Sequence, residues 1–586
     1  MDRKRKPAVP KKVHTKPVLA TQGAGKKVNF PYRNAWITAL ILIITFVAFT
    51  PSLRNDLLKT WDDQAYVTNN VLVKSLSIEN IGRIFKEENG LYANYHPLTI
   101  LSLALNYHFS GTDSLGYHLT NLILHLVNTL LVFILIFNLT GKRLEIAVFV
   151  SILFGLDPVH MESVGWISER KDVLYTVFFL SSLIAYQFFI KKNNLVFYFI
   201  SLLLFVLSML SKAMAVSLPL VLVLLDHHAK RKWNFRSVLE KIPFFLIALI
   251  LGIVAMRVQA QSGAISHVTF PVVNRILHVF YGFVMYIVKI LIPTGLSAFY
   301  PYPYPLVDST WVLDKIPAGL IITFFIALVI IAYTLFRVSR PGKNTGLLVT
   351  GILFYSVTIA AVLQFIPVGR AIMADRYTYI PSIGIFLAVG WLLFQLYRNP
   401  TYKPVVIISF AIYCCLFFYL TFERSKVWKN DETLWTDVIK SYPDDSRIAL
   451  AMENRAIYYY TENKMKESLE DYLTLSSFNP KDDNVLARIG KIYGQKLGDL
   501  DHALLYMLRA YDVNHMNLNV LRDLGTVYGI KKEPQKSLEY SLLGLQLKAD
   551  DSLLLMNAGI SYQRMGDSEH ALEYINKAHK KGSPLK

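Results

Sequence analysis

Between residues 36 and 421 the chain is a succession of long apolar segments, and this pattern constrains its fold more than any other feature. Each segment has roughly 14–22 residues, about the length that crosses a hydrocarbon core of ~30 Å as a helix. Residues 422–586 are ordinary polar sequence. The pattern predicts an all-α protein, with a polytopic membrane helical bundle over 34–421 and a separate helical region over 422–586.

The apolar segments and the charges of the loops between them predict a topology. The predicted crossings are 36–52, 116–138, 144–157, 172–190, 195–210, 213–226, 242–257, 316–337, 346–365, 380–397 and 404–421. Basic loops normally stay in the cytoplasm. The topology counted forward from the basic N-terminus matches the one counted back from the later basic loops only if a twelfth, amphipathic segment at 275–292 is re-entrant or interfacial. We therefore expect about 11 spans, with the N-terminus cytoplasmic and residues 422–586 extracytoplasmic.

The net charge of +19 arises mainly outside the C-terminal region. Residues 422–586 hold 23 Lys and Arg against 24 Asp and Glu, whereas residues 1–33 hold 10 Lys and Arg. Positive charge beside apolar segments normally records membrane orientation, so we expect no nucleic-acid partner. Residues 1–33, which are rich in Lys and Pro, are predicted to be a disordered basic cytoplasmic arm.

The C-terminal region contains an internal repeat. Ala456, Gly490, Gly525 and Gly559 are 34, 35 and 34 residues apart, and a tyrosine follows each glycine by three positions. This pattern resembles the tetratricopeptide repeat, in which the small residue lets two antiparallel helices approach and the aromatic fills the space between neighbouring units. We expect four helix pairs in a solenoid whose concave face binds peptide. A rigid spacer or a dimerisation module would carry the same pattern.

Polar groups recur in four loops that the charge pattern places outside. The first loop holds Asp62 and Asp63, which we expect to be exposed to water at the bilayer face, where a lipid-borne substrate could meet them. The others contain residues 157–172, Ser211-Lys212 and Asp375-Arg376. Cations normally avoid the outer face, and Arg and Lys suit a phosphate. The four loops therefore indicate a site for a phosphate-bearing substrate.

One predicted span carries a polar stripe. His118, Asn121, His125 and Asn128 fall on a single helical face of segment 116–138. Polar side chains within a membrane helix normally face the bundle interior. We expect hydrogen bonds between helices from this stripe, in preference to a zinc site.

Several motifs, in this order, resemble those of one enzyme family: Trp61-Asp62-Asp63, Tyr95-His96-Pro97, Pro158-Val159-His160-Met161-Glu162, Arg170-Lys171-Asp172, Ser211-Lys212 and Asp375-Arg376-Tyr377. With the repeat, they resemble the transmembrane and tetratricopeptide-repeat mannosyltransferases, which are protein O-mannosyltransferase-like members of the GT-C glycosyltransferases. The resemblance implies that a sugar passes from a polyprenyl-phosphate donor to an extracytoplasmic acceptor, such as Ser or Thr of a protein. The repeat region would recruit that acceptor.

The resemblance also implies residue roles. One of Asp62 and Asp63 would be the general base of an inverting single displacement. The residues implied to bind the donor phosphate are Arg170, Lys171, Lys212 and Arg376, and those implied to support the site are His96, His160, Glu162 and Asp375. No metal and no cofactor apart from the donor are expected. Two positions depart from the family pattern: Asp157 replaces a frequent His, and Ala213 replaces a frequent acidic residue expected to partner Lys212.

Two other functions fit parts of the pattern. A non-catalytic membrane scaffold would use the repeat region to assemble an envelope complex, and a transporter or flippase would move a lipid-linked sugar. A scaffold has no use for Asp62 and Asp63, and a transporter should show repeats among its spans. We expect an enzyme of a bacterial plasma membrane, because the tail is short and the single glycosylation sequon, Asn138-Leu139-Thr140, falls on the cytoplasmic side.

Overall fold

The computed structural model describes residues 32–86, 94–261, 271–303, 317–339, 346–365, 369–443 and 445–580. The predicted disordered arm over 1–33 therefore lies almost entirely outside the described residues. Within them the protein is all-α, as predicted, and its only sheet pairs two short antiparallel strands, β1 (Tyr300–Pro301) and β2 (Ala371–Met373).

The N-terminal bundle contains sixteen described α-helices. They are α1 Tyr32–Phe49, α2 Ile78–Ile84, α3 Pro97–Ser110, α4 Ser114–Leu139, α5 Leu144–Leu156, α6 Met161–Gly165, α7 Arg170–Lys192, α8 Leu195–Ser211, α9 Leu218–His228, α10 Phe235–Leu239, α11 Ile242–Gln261, α12 Val272–Leu291, α13 Ala318–Ser339, α14 Gly346–Ile359, α15 Pro381–Tyr397 and α16 Lys403–Val427. Small residues allow the closest crossing among them: Gly351 of α14 and Gly384 of α15 face each other so closely that a side chain on either would meet backbone.

All twelve apolar segments of the sequence form helices. Among the described residues, seven helices are long and apolar enough to cross a membrane, and the bent pair Leu144–Leu156 and Pro158–Gly165 adds an eighth if it forms one span. Four shorter apolar helices complete the set: Leu195–Ser211, Ala213–His228, Gly346–Val362 and Pro381–Tyr397. The chain thus has the helices of a multi-pass membrane protein, while the expected 11 crossings and their orientation stay predictions.

The amphipathic helix α12 is among the seven by length and composition. Near its start, Arg275 donates a hydrogen bond to the carbonyl oxygen of Phe365, which directly precedes the predicted outer loop 366–379. Near its end, the hydroxyl of Tyr286 accepts from the backbone N–H of Ala374 within that same loop, at 3.1 Å. Contacts of both ends with one loop fit a re-entrant or interfacial helix, so we keep that prediction for α12.

The C-terminal region is a stack of helices. Its elements are α17 Asp431–Ser441, α18 Ala449–Thr461, α19 Met465–Phe478, α20 Asp483–Ile492, α21 Leu500–Val513, α22 Leu518–Ile530, α23 Pro534–Leu547, α24 Ser552–Arg564 and α25 Ser568–Lys580. From α18 onward they form the four predicted pairs. The repeated small residues lie where the pairs touch, since a Cβ on Gly490 would come within 3.0 Å of the carbonyl oxygen of Ala503.

The repeated tyrosines pack within their own helix pairs as well as against the preceding pair. Tyr528 stacks on Tyr540, and Tyr562 packs on Tyr574, each at 5.5 Å between ring centroids. Both partners belong to the second helix of the same pair, so these rings stabilise a unit internally, while Tyr528 also shares a buried cluster with Leu486 and Met507 of the preceding pair. The reason is the spacing, because a residue three positions after the glycine shares its helical face and so points to the same partner helix.

Candidate active site

One end of the bundle collects the four polar loops predicted to share a face. The backbone N–H of Ser168 donates to Asp63 at 2.9 Å, which joins the first loop to the second. Thr99 donates to the carbonyl oxygen of Ser211 at 2.9 Å, and Arg376 forms an ion pair with Glu162. Segments more than 200 residues apart in sequence therefore form one continuous surface.

Asp63 is an internal anchor of this surface. Its side chain is 1% exposed, which corrects the expectation of a water-exposed pair. One carboxylate oxygen accepts from the N–H of Leu58 at 3.0 Å, and the other accepts from the N–H and hydroxyl of Ser168. Burial raises the pKa of Asp63 to about 7, although the hydrogen bonds from Ser168 and Leu58 oppose that rise. Asp63 thus holds the first loop against the second.

Asp62 has a different environment. It is half-buried, and its carboxylate makes no hydrogen bond or ion pair with any residue that the structure describes. Burial raises the pKa of Asp62, and the nearby ammonium of Lys171 opposes that rise. Of the two adjacent carboxylates, Asp62 is therefore the one that retains free lone pairs to receive a proton.

Three of the predicted phosphate-binding cations meet at a carboxylate that the sequence analysis did not assign. Glu169 is 1% exposed and is approached by Lys171 at 3.1 Å, Lys212 at 3.3 Å and Arg376 at 3.3 Å. Lys212 also pairs with Asp172 at 2.5 Å. Lys212 therefore has acidic partners despite Ala213, because the partners come from α7 and the turn before it instead of from the next residue.

Aromatic rings surround these cations. The ammonium of Lys171 lies 4.8 Å from the ring of Tyr66, and the guanidinium of Arg376 lies 4.8 Å from the ring of Tyr377 and 5.6 Å from that of Trp166. Each ring face attracts a cation and lowers the local dielectric. The three cations are thus partly shielded from water, and Lys171 and Arg376 lie close enough to Asp62 to lower its pKa.

Two buried carboxylates, Glu162 and Asp375, hold the loop that carries Arg376. Glu162 accepts from the backbone N–H of Arg376 at 3.0 Å and pairs with its guanidinium. Asp375 is buried and accepts from the hydroxyl of Tyr300 at 2.7 Å. Burial raises the pKa of Asp375 to about 7, with the charge of Glu162 adding to the rise. Both carboxylates therefore position the loop that carries Arg376.

Arg170 lies apart from the other predicted phosphate ligands. Its fully buried guanidinium donates to Ser102 at 3.0 Å, to Asn106 at 2.7 Å, to the carbonyl oxygen of Tyr117 at 2.9 Å, and to Asn121. These neutral acceptors join α3 and α4 to the start of α7. Because Arg170 is fully buried and four of its five N–H groups are bonded inside the protein, we no longer expect it to bind the donor phosphate.

The two supporting histidines lie at different depths. His96 is buried at the start of α3, stacks on Tyr66 at 5.2 Å, and has a pKa lowered to about 3 by burial and by the charge of Lys171. His160 lies below the surface, where its ring bonds the carbonyl oxygen of Phe154 at 2.9 Å and the hydroxyl of Ser382 at 3.1 Å. His96 thus neighbours the cation cluster, whereas His160 joins two helix ends.

Three of the four residues of the polar stripe of α4 form the predicted hydrogen bonds with neighbouring segments. Asn121 donates to the carbonyl oxygen of Val164, His125 bonds the hydroxyl of Tyr379 at 2.6 Å, and Asn128 donates to the carbonyl oxygen of Val173 at 2.8 Å. The described part of the chain holds no group of three or more His, Cys, Asp or Glu placed to bind a metal ion.

The C-terminal region reaches the site through residues that the sequence analysis missed. Asp431, the first residue of α17, accepts from the backbone N–H groups of Lys59 and Thr60 at 2.8 and 2.9 Å. The ring of Trp61 lies 4.2 Å from Trp166 and 4.8 Å from Trp435. The residues directly before Asp62 are thus held by the start of the tail. The sequence signals this contact only through its tryptophans, since Trp61 and Trp166 lie in loops of the apolar region and Trp435 lies in the polar tail.

The chain is similar to protein O-mannosyl-transferases. It is 27% identical to Protein O-mannosyl-transferase F38B6.6 of Caenorhabditis elegans over 434 residues, covering 70% of this chain and 58% of that protein. It is 23% identical to human Protein O-mannosyl-transferase TMTC3, covering 69% of this chain and 47% of the relative, and 22% identical to human TMTC1, covering 69% and 50%. The chain spans about half the length of the curated relatives it matches.

Two other comparisons concern family models and solved structures. No protein-family model matches the chain. A crystal structure of MamA matches 25% of this chain and 84% of its own, at 18% identity and a TM-score of 0.24. The crystal structure of YrrB, a TPR protein, matches 33% of this chain and 93% of its own, at 16% identity and a TM-score of 0.24.

Proposed function

We propose that this chain is an integral membrane glycosyltransferase that moves a sugar from a polyprenyl-phosphate donor to a hydroxyl of an acceptor protein. The names of the similar proteins favour mannose as the sugar and Ser or Thr as the acceptor. The observation that carries the proposal is the pairing of one open carboxylate, Asp62, with a shielded cluster of Lys171, Lys212 and Arg376.

The proposed reaction is a single displacement with inversion. The acceptor oxygen attacks the anomeric carbon of the sugar, and its proton passes to the carboxylate of Asp62. The bond between the anomeric carbon and the phosphate oxygen breaks, and its electron pair stays on the phosphate. Polyprenyl phosphate leaves with one more negative charge on its oxygens. No covalent link to the enzyme forms.

The cation cluster supplies the charge that the leaving phosphate needs. Lys171, Lys212 and Arg376 now share the carboxylate of Glu169 and its neighbours. A phosphate beside them would receive charge-assisted hydrogen bonds from groups already held in place. Because these groups are mostly buried, their attraction for the departing phosphate is stronger than it would be in water.

The tail is the proposed acceptor-binding element. A groove of about 610 Å³ in it is lined by polar side chains that include Asn484, Arg488, Asn519 and Asp523. Side-chain amides both donate and accept, which suits the backbone of an extended peptide. Asp431 and Trp435 join this region to the segment before Asp62, so an acceptor held in the groove would stay close to the site.

Transfer by purified protein variants tests the proposal. The full chain is incubated with a polyprenyl-phosphate mannose donor and a Ser/Thr-rich acceptor peptide, and glycopeptide is measured by mass spectrometry. Asp62→Asn should lower the rate by about 10²–10⁴-fold, the usual contribution of a general base. Asp56→Asn is the matched control, because Asp56 is an exposed carboxylate of the same loop and should leave the rate unchanged. Equal rates for Asp62→Asn and wild-type protein would refute the assignment of Asp62.

A further inference from the structure

A second polar cavity lies at the end of the bundle opposite the candidate active site. Its volume is about 720 Å³, and it is enclosed by the C-terminal ends of α4, α9, α13 and α15 and by the start of α14. Asn121 of α4 contacts the candidate site, whereas Leu139 lines this cavity, about 27 Å further along the same helix at ~1.5 Å per residue. The cavity therefore belongs to the other membrane face.

Six of the sixteen described residues that line this cavity have basic side chains. They are Arg143, His227, His228, Lys230, Arg337 and Arg398. None of the described residues that line it is acidic. Carbonyl groups at the four helix C-termini carry about half a negative charge each, which offsets only part of the charge of three arginines and one lysine. A net positive field remains inside the cavity.

Two arginines of this cavity have an aromatic neighbour instead of a carboxylate. Within the described residues, Arg143 and Arg398 form no ion pair, and their guanidinium groups lie 5.1 and 6.0 Å from the centre of one ring, that of Phe394. At the same end of the bundle, Arg231 pairs with Glu240 at 2.6 Å, and Lys241 pairs with Asp226. The chain thus pairs some cations at this end with carboxylates and leaves Arg143 and Arg398 available to an anion.

The cavity also has apolar walls and fixed geometry. His228 bonds the carbonyl oxygen of Leu139 at 3.1 Å and the hydroxyl of Thr350 at 3.0 Å, which ties α9 to α4 and α14. Leu347 and Trp391 supply apolar surface beside the cations. A cationic recess at the end of membrane helices, with apolar walls, suits a phosphate that carries hydrocarbon chains.

We propose that this cavity binds the phosphate headgroup of an anionic phospholipid in the membrane leaflet opposite the candidate active site. Arg143 and Arg398 contact the phosphate, and the apolar walls contact the adjoining glycerol and acyl chains. The site does not depend on the proposed transferase activity, since none of its residues lies in the candidate active site.

Lipid binding by the full chain tests this proposal. The purified protein in detergent is titrated with phosphatidylglycerol or phosphatidylcholine, and bound lipid is counted by native mass spectrometry. Wild-type protein should prefer phosphatidylglycerol, and Arg143→Gln with Arg398→Gln should weaken that binding by about tenfold. Lys191→Gln with Lys192→Gln is the matched control, because it removes the same charge from the end of α7 without touching the cavity. That control should bind phosphatidylglycerol as the wild type does.

Two results would overturn the proposal directly: equal binding of the two lipids by wild-type protein, or equal weakening in both double variants. A third is full displacement of phosphatidylglycerol by inorganic phosphate at about 10 mM, a concentration that saturates weak phosphate sites. That result would make the cavity a site for a free anion. The exposed side chain of Arg398 allows Arg398→Gln alone to replace the double variant if the latter does not fold. It should weaken phosphatidylglycerol binding about threefold.

Discussion

At the scale of single residues, the main result is that two adjacent carboxylates have different environments. Asp63 is held by Ser168 and Leu58, while Asp62 is left without a hydrogen-bond partner among the described residues. The open position of Asp62 makes it our choice for the general base. The same geometry makes Asp63 a positioning residue for the loop.

The pH dependence of transfer should report the environment of Asp62. A general base works only when ionised, so the rate should fall as the pH drops through its pKa. Burial raises that pKa, and the fall should therefore begin at a higher pH than for an ordinary aspartate near 3.9. The measurement is kcat/KM against pH for the wild-type protein and for two variants of Lys171.

Substitution of Lys171 should shift the pH dependence of transfer in a defined direction. Its ammonium lowers the pKa of Asp62, so Lys171→Gln should move the acidic fall of kcat/KM to a still higher pH. Lys171→Arg keeps the positive charge and should leave the midpoint near that of the wild type. A midpoint that moves to lower pH in Lys171→Gln would contradict the electrostatic role assigned to Lys171.

Sequence reasoning found most of the charged residues at the site but not their arrangement. It singled out Asp62, Lys171, Lys212 and Arg376 because each stands in a loop of unusual polarity. It could not separate Asp62 from Asp63, since the difference depends on Ser168, which is 105 residues away. It assigned no role to Glu169 and did not foresee the burial of Arg170, because burial and hydrogen bonding are properties of the folded chain.

At the scale of elements, the start of α17 and the first outer loop act as one unit. Asp431 is fully buried and accepts two backbone N–H groups directly before Trp61, whose ring packs among Trp166 and Trp435. Buried N–H groups without acceptors are costly. The helix that begins the tail therefore fixes the backbone that leads to Asp62.

Asp431→Ala should impair transfer without removing any group from the site itself. Each lost hydrogen bond to a charged acceptor is worth about 1.5–3 kcal/mol, so the segment before Asp62 should loosen and kcat should fall about 10- to 100-fold, the scale at which small misplacements affect rates. The matched control is Asp482→Ala, because Asp482 also accepts two backbone N–H groups, at 3.1 Å each, but in α20. Equal loss of kcat in both variants would contradict a specific role for Asp431.

Elements were predicted from the sequence more fully than their packing. Every apolar segment became a helix, and the period of 34–35 residues gave the four helix pairs. The stacking of the repeated tyrosines within their own helix pairs was not predicted, because the period fixes the face of a residue but not every neighbour that reaches that face. The contacts of α12 with Phe365 and Ala374 likewise required the folded chain.

At the scale of the whole molecule, the helix bundle separates two polar surfaces. One end joins the four loops and the start of the tail around Asp62, and the other holds the cationic cavity around Arg143 and Arg398. The apolar helices between them place the two ends at opposite faces of a membrane. The proposed transferase would bind its lipid-borne donor and its acceptor at one face, and the proposed lipid site would bind a phospholipid headgroup at the other.

Protein glycosylation in cells tests the central claim most directly. Cells that lack this chain are complemented with the wild-type protein, with Asp62→Asn or with Asp56→Asn, and hexose on Ser and Thr of extracytoplasmic proteins is measured by glycoproteomics. The wild type and Asp56→Asn should restore the same set of glycopeptides, and Asp62→Asn should restore none while inserting at the same level in the membrane. Identical glycopeptides with Asp62→Asn and with the wild type would contradict the account.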